Sequence, residues 1–518
     1  MSFRYDKVIW WIKRDLRLAD NDALMRAIDE GRRVLPLFVF EPEVLQASDA
    51  SFFHLHAQWN ALAELSKAIE DRGGLLQIVQ GEVVGVFDQL LTEDGFDAIY
   101  SHQETGADVT YQRDIAVANW CSNSNIHWHE SFQNGVIRKL HSRDDRQRIF
   151  KERLLETPPN PAPQAIVSWQ PTSASRVLPG IDSISVNKTH CGLDTSLLQT
   201  VSEKQAQREC QRFLTVRGLG YSGGISSPNT AFKVGSRLSP HLAWGTISLR
   251  SVFYESNKRL AELSGQQDTN TSQWRKSIRA FQSRLHWHDH FIQRLESAPA
   301  MEFEALNPAY RYIDYYDDSE ILAAWSRGKT GIPLLDACMR CLRHTGFLNF
   351  RMRAMAVTTA CFGLGQSWRS IHNPLAQVFL DYEPGIHLSQ IQMQAGIVGI
   401  NTLRVYSPHK QLTDQDPNCV FVKQWIPELR EFSAAEIAAY NSTRLGDYPT
   451  PIIDIDERGK YIKDQVYAIR KSEEGKEASA IVLRNHGSRR PSRNKSVKRK
   501  KVANKTLAPP SPQMKLDF

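Results

Sequence analysis

The sequence has no run of 18 consecutive apolar residues, and residues 1–7 read as the polar lead-in to a strand rather than a signal peptide. A membrane-spanning helix is excluded on that pattern. The expectation is a soluble chain without a membrane partner, cytoplasmic, or nuclear in a eukaryote. Cysteine is scarce: seven in 518 residues, an odd and scattered number. That excludes a disulfide framework and fits a reducing compartment. No G-x-G-x-x-G follows the first strand-like run, so the usual dinucleotide fingerprint is missing. Acidic residues are absent from 484–505, where ten Lys or Arg stand; the formal charge of +7 therefore belongs to the tail, and the rest carries −3. The length excludes a mini-protein, and 41% hydrophobic residues exclude a wholly disordered chain.

What is present falls into four parts. Over residues 1–135, apolar β-branched and aromatic runs (8–12, 34–40, 75–79, 97–100) alternate with helical stretches. One of these, 54–69, carries Leu55, Trp59, Leu62, Leu65 and Ile69 on a single stripe. Strands alternating with crossover helices predict an α/β domain with a doubly wound parallel sheet. Residues 136–204, with six prolines between 157 and 180, read as a connector. Residues 205–471 are mostly helical in pattern, and 472–518 read as a disordered basic tail.

Within the helical part, polar groups interrupt apolar helices at Ser236-Arg237-Leu238-Ser239, at Asn349 to Arg353 and at Asp381 to His387. A serine–arginine–serine turn entering a helix suits an anion, and an arginine facing acids in an apolar setting suits a charge network that tunes a cofactor. Taken singly, each is equally an ordinary cap or ion pair. No metal is expected. Cys338-x-x-Cys341, with Cys361 and Cys419, does not have cluster spacing, and His286 and His290 share a helix face without a third ligand.

In order, the motifs become specific. Residues 10–24 (WWIKRDLRLADNDAL) resemble the opening motif of the photolyase/cryptochrome family. Residues 235–240 (GSRLSP) resemble its flavin-phosphate turn, 329–340 (KTGIPLLDACMR) its flavin-domain signature, and 424–429 (QWIPEL) its closing motif. The resemblance spans roughly residues 5–435 and implies an N-terminal antenna-binding domain and a C-terminal helical domain holding FAD. It leaves room for a second antenna chromophore of folate or deazaflavin type near residues 102–108.

The resemblance also implies roles. Tyr221, Gly235, Ser236, Arg237, Leu238 and Ser239 match the diphosphate grip, with Gly235 where many members have threonine. Arg353 and Asp381 match the ion pair along the isoalloxazine. Glu383 stands in a usual aspartate position, and His387 stands where a residue facing flavin N5 is expected. A histidine there can give or take a proton, so flavin protonation is expected to respond to pH. Phe281, Arg284, His288 and Phe350 complete the cofactor-binding set.

The implied activity is light-driven splitting of pyrimidine dimers in ultraviolet-damaged DNA, with a cryptochrome-type signalling photoreceptor as the alternative. Trp287 and Met393 would wall the lesion pocket, and Arg284, with His387, would act in it; Arg351 and Arg404 would hold DNA. The pocket departs from the family pattern: Arg284 replaces a glutamate, Phe350 an asparagine and Met393 a tryptophan. Phe350 and Ala354 also fill the positions of the paired histidines of (6-4) enzymes. Trp368 matches the middle member of the electron relay, but Ile391 and Tyr315 fill its other two slots, which leaves Trp244, Tyr382 and Tyr406 as candidates. The expected form is a monomer. The final Gln513-x-x-Leu516-x-Phe518 resembles peptides that dock on sliding clamps.

Overall fold

The computed structural model describes residues 3–172, 181–186, 195–265, 269–442 and 444–488. Five short strands, β1 (Tyr5–Ile12), β2 (Gly31–Phe40), β3 (Gln77–Gln80), β4 (Ala98–His102) and β5 (His127–Ser131), form one sheet in the order β3-β2-β1-β4-β5. Every pairing is parallel, with Val8 opposite both Val34 and Ala98. The crossovers are α1 (Asp22–Glu30), α2 (Phe52–Glu70), α3 (Val83–Glu93) and α4 (Asp108–Asn123). Successive side chains of a strand point to opposite faces. Trp10 and Ile12 accordingly enter one core with Leu62 and Leu65 of α2, while Ile9 and Trp11 enter another with Phe87 of α3. The doubly wound expectation is met, with one strand more than the four apolar runs suggested.

The helical part is built on α5 (Glu203–Thr215), α6 (Pro228–Val234), α7 (Ser239–Ala243), α8 (Leu249–Glu262), α9 (Thr269–Ser297), α10 (Pro333–Thr345), α11 (Phe350–Thr358), α12 (Trp368–Ala376), α13 (Pro384–Gln394), α14 (Ile455–Lys471) and α15 (Glu473–His486). Long α9 lies directly on α13: a Cβ at Gly385 would stand 2.6 Å from Ile292 Cα, so only glycine permits this approach. One apolar cluster runs from the sheet face at Trp10 and Phe53 through Trp244 to Ile371 and Leu388.

The tail expectation fails for its first residues. Residues 473–486 form a helix because Ser472 caps it, accepting the Gly475 N–H at 3.0 Å. Val482 and His486, four apart, are also buried. Composition suggested solvation, but packing supplies the order. Residues 489–518 lie outside the described residues, and with them Gln513, Leu516 and Phe518. No described helix is long and apolar enough to cross a membrane.

Candidate functional site

The segment after β1 ties the sheet to the helices. Arg14 donates from Nε to Ala243 O (2.9 Å) and from Nη2 to Tyr382 O (2.6 Å), and its guanidinium stacks 4.8 Å from the Trp244 ring. Gly245, at φ 67°, makes the contact possible, since a Cβ there would meet Arg14 O at 1.9 Å. The strand order reverses between β1 and β4, the place where open α/β sheets leave a crevice. Here a cavity of about 40 Å³ is lined by Lys13, Arg14, His102, Glu104, His288 and Glu383, among others. Ion pairs brace its floor: Lys13–Asp114 at 3.2 Å, Arg113–Glu104 at 2.7 Å and Arg113–Glu41 at 2.8 Å.

A second set of polar side chains lies inside the helices. Arg237, between α6 and α7, takes a left-handed backbone (φ 62°). Its guanidinium sits between Phe232 (5.0 Å) and Phe347 (4.7 Å), and Nε donates to Gln199 Oε1 at 3.1 Å. Nη1 is buried with no partner among the described residues. Burial lowers the pKa of this guanidinium, with Glu209 opposing. A buried guanidinium with no carboxylate bound to it is unfavourable unless an anion arrives. Ser236 Oγ accepts the Leu238 N–H (3.3 Å), and Ser239 opens α7. Tyr221 is buried against Phe213 and Phe281, and burial pushes its phenol up to about 12.

Phe347 also links Arg237 to Arg353, whose guanidinium lies 5.8 Å from the same ring. Arg353 donates to Leu348 O (2.7 Å) and Asp381 Oδ2 (2.8 Å) and lies 4.1 Å over Phe379. Asp381 Oδ1, Glu383 Oε1 and Asn349 Oδ1 are buried without partners among the described residues. Arg14 approaches Glu383 Oε2 at 3.6 Å, yet burial still raises that carboxyl. One unsatisfied guanidinium and several unsatisfied oxygens, with Arg237 and Arg353 sharing the Phe347 ring, suit a ligand offering both phosphates and imide-type N–H and C=O groups. FAD is such a ligand, and the residues present fit it.

His387 does not behave as expected. Its Nε2 lies 3.1 Å from His372 O, which makes that nitrogen the N–H and leaves Nδ1 as the acceptor. Burial, then His372, hold the ring neutral well below the ordinary histidine range. A pH-responsive proton at this position is therefore not expected near neutrality. The cause is that α12 and α13 close around the ring, which sequence position alone did not show.

The other expected residues are spread more widely. Trp287 on α9 packs on His290 (5.0 Å) and Phe291 (5.4 Å). The guanidiniums of Arg284 and Arg351 flank the exposed Phe350 ring, at 4.9 and 6.0 Å. Met393 is half-buried on α13, and Arg404 is exposed. His288 bonds its neighbour Asp289 (3.3 Å). Cys338 and Cys341 are fully buried thiols, their pKa values raised by burial.

Trp368 and Ile391 are both buried. A different row of rings runs outward from His387: Tyr382 at 5.2 Å, His54 stacked on Tyr382 at 5.2 Å, and Trp244 5.6 Å from His54. Tyr382 Oη donates to Asp49 Oδ2 at 2.6 Å, and burial followed by Asp49 pushes its phenol pKa well above 10. Tyr406 is held by its N–H to Thr358 Oγ1 (3.3 Å). The sequence reading missed Asp49 and His54. The one available signal was a histidine among the apolar positions of α2.

Residues 8–150 match the family model described as DNA photolyase, and residues 281–468 the one described as FAD binding domain of DNA photolyase. A deoxyribodipyrimidine photo-lyase of Alkalihalophilus pseudofirmus is 24% identical over 482 residues, covering 87% of this chain and 95% of its own. A cryptochrome DASH of Natronomonas pharaonis is 25% identical, covering 88% and 99%. The crystal structure of an archaeal photolyase from Sulfolobus tokodaii, with two FAD molecules, superimposes with a TM-score of 0.73 at 25% identity, covering 89% and 99%.

Proposed function

Because this chain belongs to the photolyase/cryptochrome family, we propose that it is a light-driven, FAD-dependent lyase that splits ultraviolet-induced pyrimidine dimers in DNA. The observation that carries this reading is the unsatisfied polar set from Arg237 to Asp381. Bound FAD supplies light absorption and one-electron transfer. The chain supplies the setting. Arg237, with Ser236 and Ser239, holds the diphosphate, and Arg353, fixed by Asp381, presents positive charge along the ring system. Trp287 offers a stacking wall to a flipped-out pyrimidine dimer, and Arg284 and Arg351, on either side of exposed Phe350, offer charge to the strand. Met393 and Arg404 complete this reading of the pocket.

The test is light-dependent repair of a dimer-bearing oligonucleotide by purified protein. Repair in the light alone is expected; none under any illumination would favour the signalling alternative. That alternative draws on Arg284, a cation where dimer-splitting relatives are expected to place an acid.

We extend the reading to electron supply. Tyr382 would give one electron to the photoexcited oxidised flavin as its phenolic proton passes to Asp49, and Trp244, on the far side of His54, would return one to the tyrosyl radical, with an external reductant restoring Trp244. Tyr382→Phe should slow blue-light bleaching of the oxidised flavin at least about tenfold, the size of a 1.4 kcal/mol barrier change. Trp368→Phe should slow it less. The reverse order would defeat this route.

A second, light-gathering chromophore belongs to the same reading, as do a monomeric form and a cytoplasmic address. Residues 484–505 would hold DNA by charge, and Gln513, Leu516 and Phe518 would dock on a sliding clamp. Deleting 489–505, which leaves α15 whole, should flatten the salt dependence of DNA binding, and a peptide of residues 508–518 should bind the cognate clamp. An unchanged slope and an unbound peptide would each refute its half.

A further inference from the structure

The N-terminal two-thirds of α9 carries charge of one sign. Between Thr269 and His288 stand Arg275, Lys276, Arg279 and Arg284, and no Asp or Glu. Trp274, Ile278, Phe281 and Leu285, at i, i+4, i+7 and i+11, are buried and fix the core-facing side. Lys276, Arg279, Ser283 and Trp287 recur at i, i+3, i+7 and i+11 on the opposite side. Lys276 and Arg279 are exposed there, and Ser283 and Trp287 are half-buried. The rise of an α-helix makes this stripe about 16 Å long. Exposed Arg284 stands at its edge. Among the described residues, no ion pair or hydrogen bond closes any of the four charged ends. Like charges three and four residues apart, as in Lys276/Arg279 and Arg275/Arg279, weaken a helix. A polyanion lying along the stripe would reverse that effect.

The row ends beside an exposed ring. Phe350 opens α11 and is 39% exposed, whereas Met352, Ala354, Met355 and Ala356 behind it are buried. The start of the helix is pinned, because Asn349 donates from Nδ2 to Ile225 O at 3.2 Å and to Ser226 O at 2.7 Å. The guanidiniums of Arg284 and Arg351 lie 4.9 and 6.0 Å from the ring. Arg351, like Arg284, is bonded to no carboxylate among the described residues, and its Nε is buried without a partner. One exposed phenylalanine is ordinary on its own. Held between two uncommitted cations, it presents a π-face and positive charge together, the complement of a base and its phosphate. Bases inside a duplex stack on one another, so only an unpaired base can reach this ring.

We propose that the solvent side of α9, from Lys276 and Arg279 to Trp287, is a track for single-stranded DNA that ends with one base stacked on Phe350. Lys276, Arg279, Arg284 and Arg351 take the phosphates along it. The inference rests on the repair reading only for the role of Trp287 as the wall that the strand leads to.

The test uses full-length, flavin-loaded protein in the dark, titrated with a short undamaged oligothymidylate and with a duplex of equal length. Lys276→Gln and Arg279→Gln should each lower the slope of log affinity against log salt by about 0.7 on the single strand. Phe350→Leu should weaken single-strand binding about 5- to 150-fold, the range of a lost base stack, with an unchanged slope and unchanged duplex binding. Phe350→Trp, which keeps a ring, should bind the single strand at least as well as wild type. Slopes equal to wild type in both charge variants would overturn the track, as would equal single-strand affinity in Phe350→Leu or an equal loss on the duplex. Loss of flavin absorbance in Phe350→Leu would assign the ring to the cofactor and overturn the stacking. Light-driven repair of a dimer-bearing oligonucleotide is scored separately. Repair by variants that bind like wild type would defeat the track alone, whereas strand binding as expected without repair would defeat the lyase reading alone.

Discussion

Arg237→Gln is expected to lose most of its FAD while gaining stability in the empty form. The guanidinium is held between two aromatic rings and bonded to Gln199, with one nitrogen facing no acceptor among the described residues. In the loaded protein it meets a diphosphate, and a charge-assisted bond of this kind is worth roughly 1.5–3 kcal/mol, or about a 10- to 150-fold change in Kd. In the empty protein the same group is an uncompensated buried charge, and replacing it with a shorter, neutral polar side chain removes that burden. The two effects have opposite signs, which a merely structural arginine would not produce. Flavin titration followed at the visible absorbance band, together with denaturant unfolding of both forms, measures them. Equal FAD affinity in the variant would remove Arg237 from the diphosphate grip. A variant destabilised equally with and without FAD would make it a packing residue.

What was legible in the sequence follows the range of the interactions concerned. β1, β2 and β4 announce themselves because both faces of a parallel sheet are covered and each strand carries an unbroken apolar run: Val8–Ile12, Val34–Phe40 and Ala98–Tyr100. β5, His-Trp-His-Glu-Ser, is an edge strand with mostly half-buried residues and carries no such signature. The helix 473–486 hid behind a polar composition, although its Ser472 cap and its Val482–His486 spacing were there to be read. At the site, Arg237, Arg353 and Asp381 stand in local motifs that a family resemblance exposes. Asp49, His54 and Gln199 do not. His54 reaches Ala376 and Phe379 across more than 320 residues of chain, and Asp49 reaches Tyr382 across 333. Contacts of that range depend on how the sheet domain seats against the helices, and no local periodicity encodes them.

That seating also buries histidines, and acid should therefore unfold the protein early. His54 is brought down to about 4 and His241 to about 3, in each case chiefly by burial. His387 and His290 are held well below 6.5, and His486 is brought to about 4, again by burial first. Unfolded, each titrates near 6.5. Between pH 6.5 and the folded values, the unfolded chain takes up protons that the folded chain refuses, so stability falls as the pH falls. Each such histidine contributes a slope of about 1.4 kcal/mol per pH unit once the pH is well below 6.5. Glu302 works the other way. Burial raises it to about 7, so the folded chain gains a proton there first and offsets about one histidine. Burial also raises Glu41, Glu130, Glu203, Asp336 and Glu383, and lowers His56, His129, His286 and His372; nine histidines against six carboxyls leave a net loss between pH 6.5 and 5. The midpoint of urea unfolding should be nearly level from pH 7 to 8 and drop below 6.5. In His241→Gln the slope near pH 5 should ease by about one proton's worth. A stability curve flat down to pH 5 would mean that these rings accept protons in the folded chain and are not buried as described.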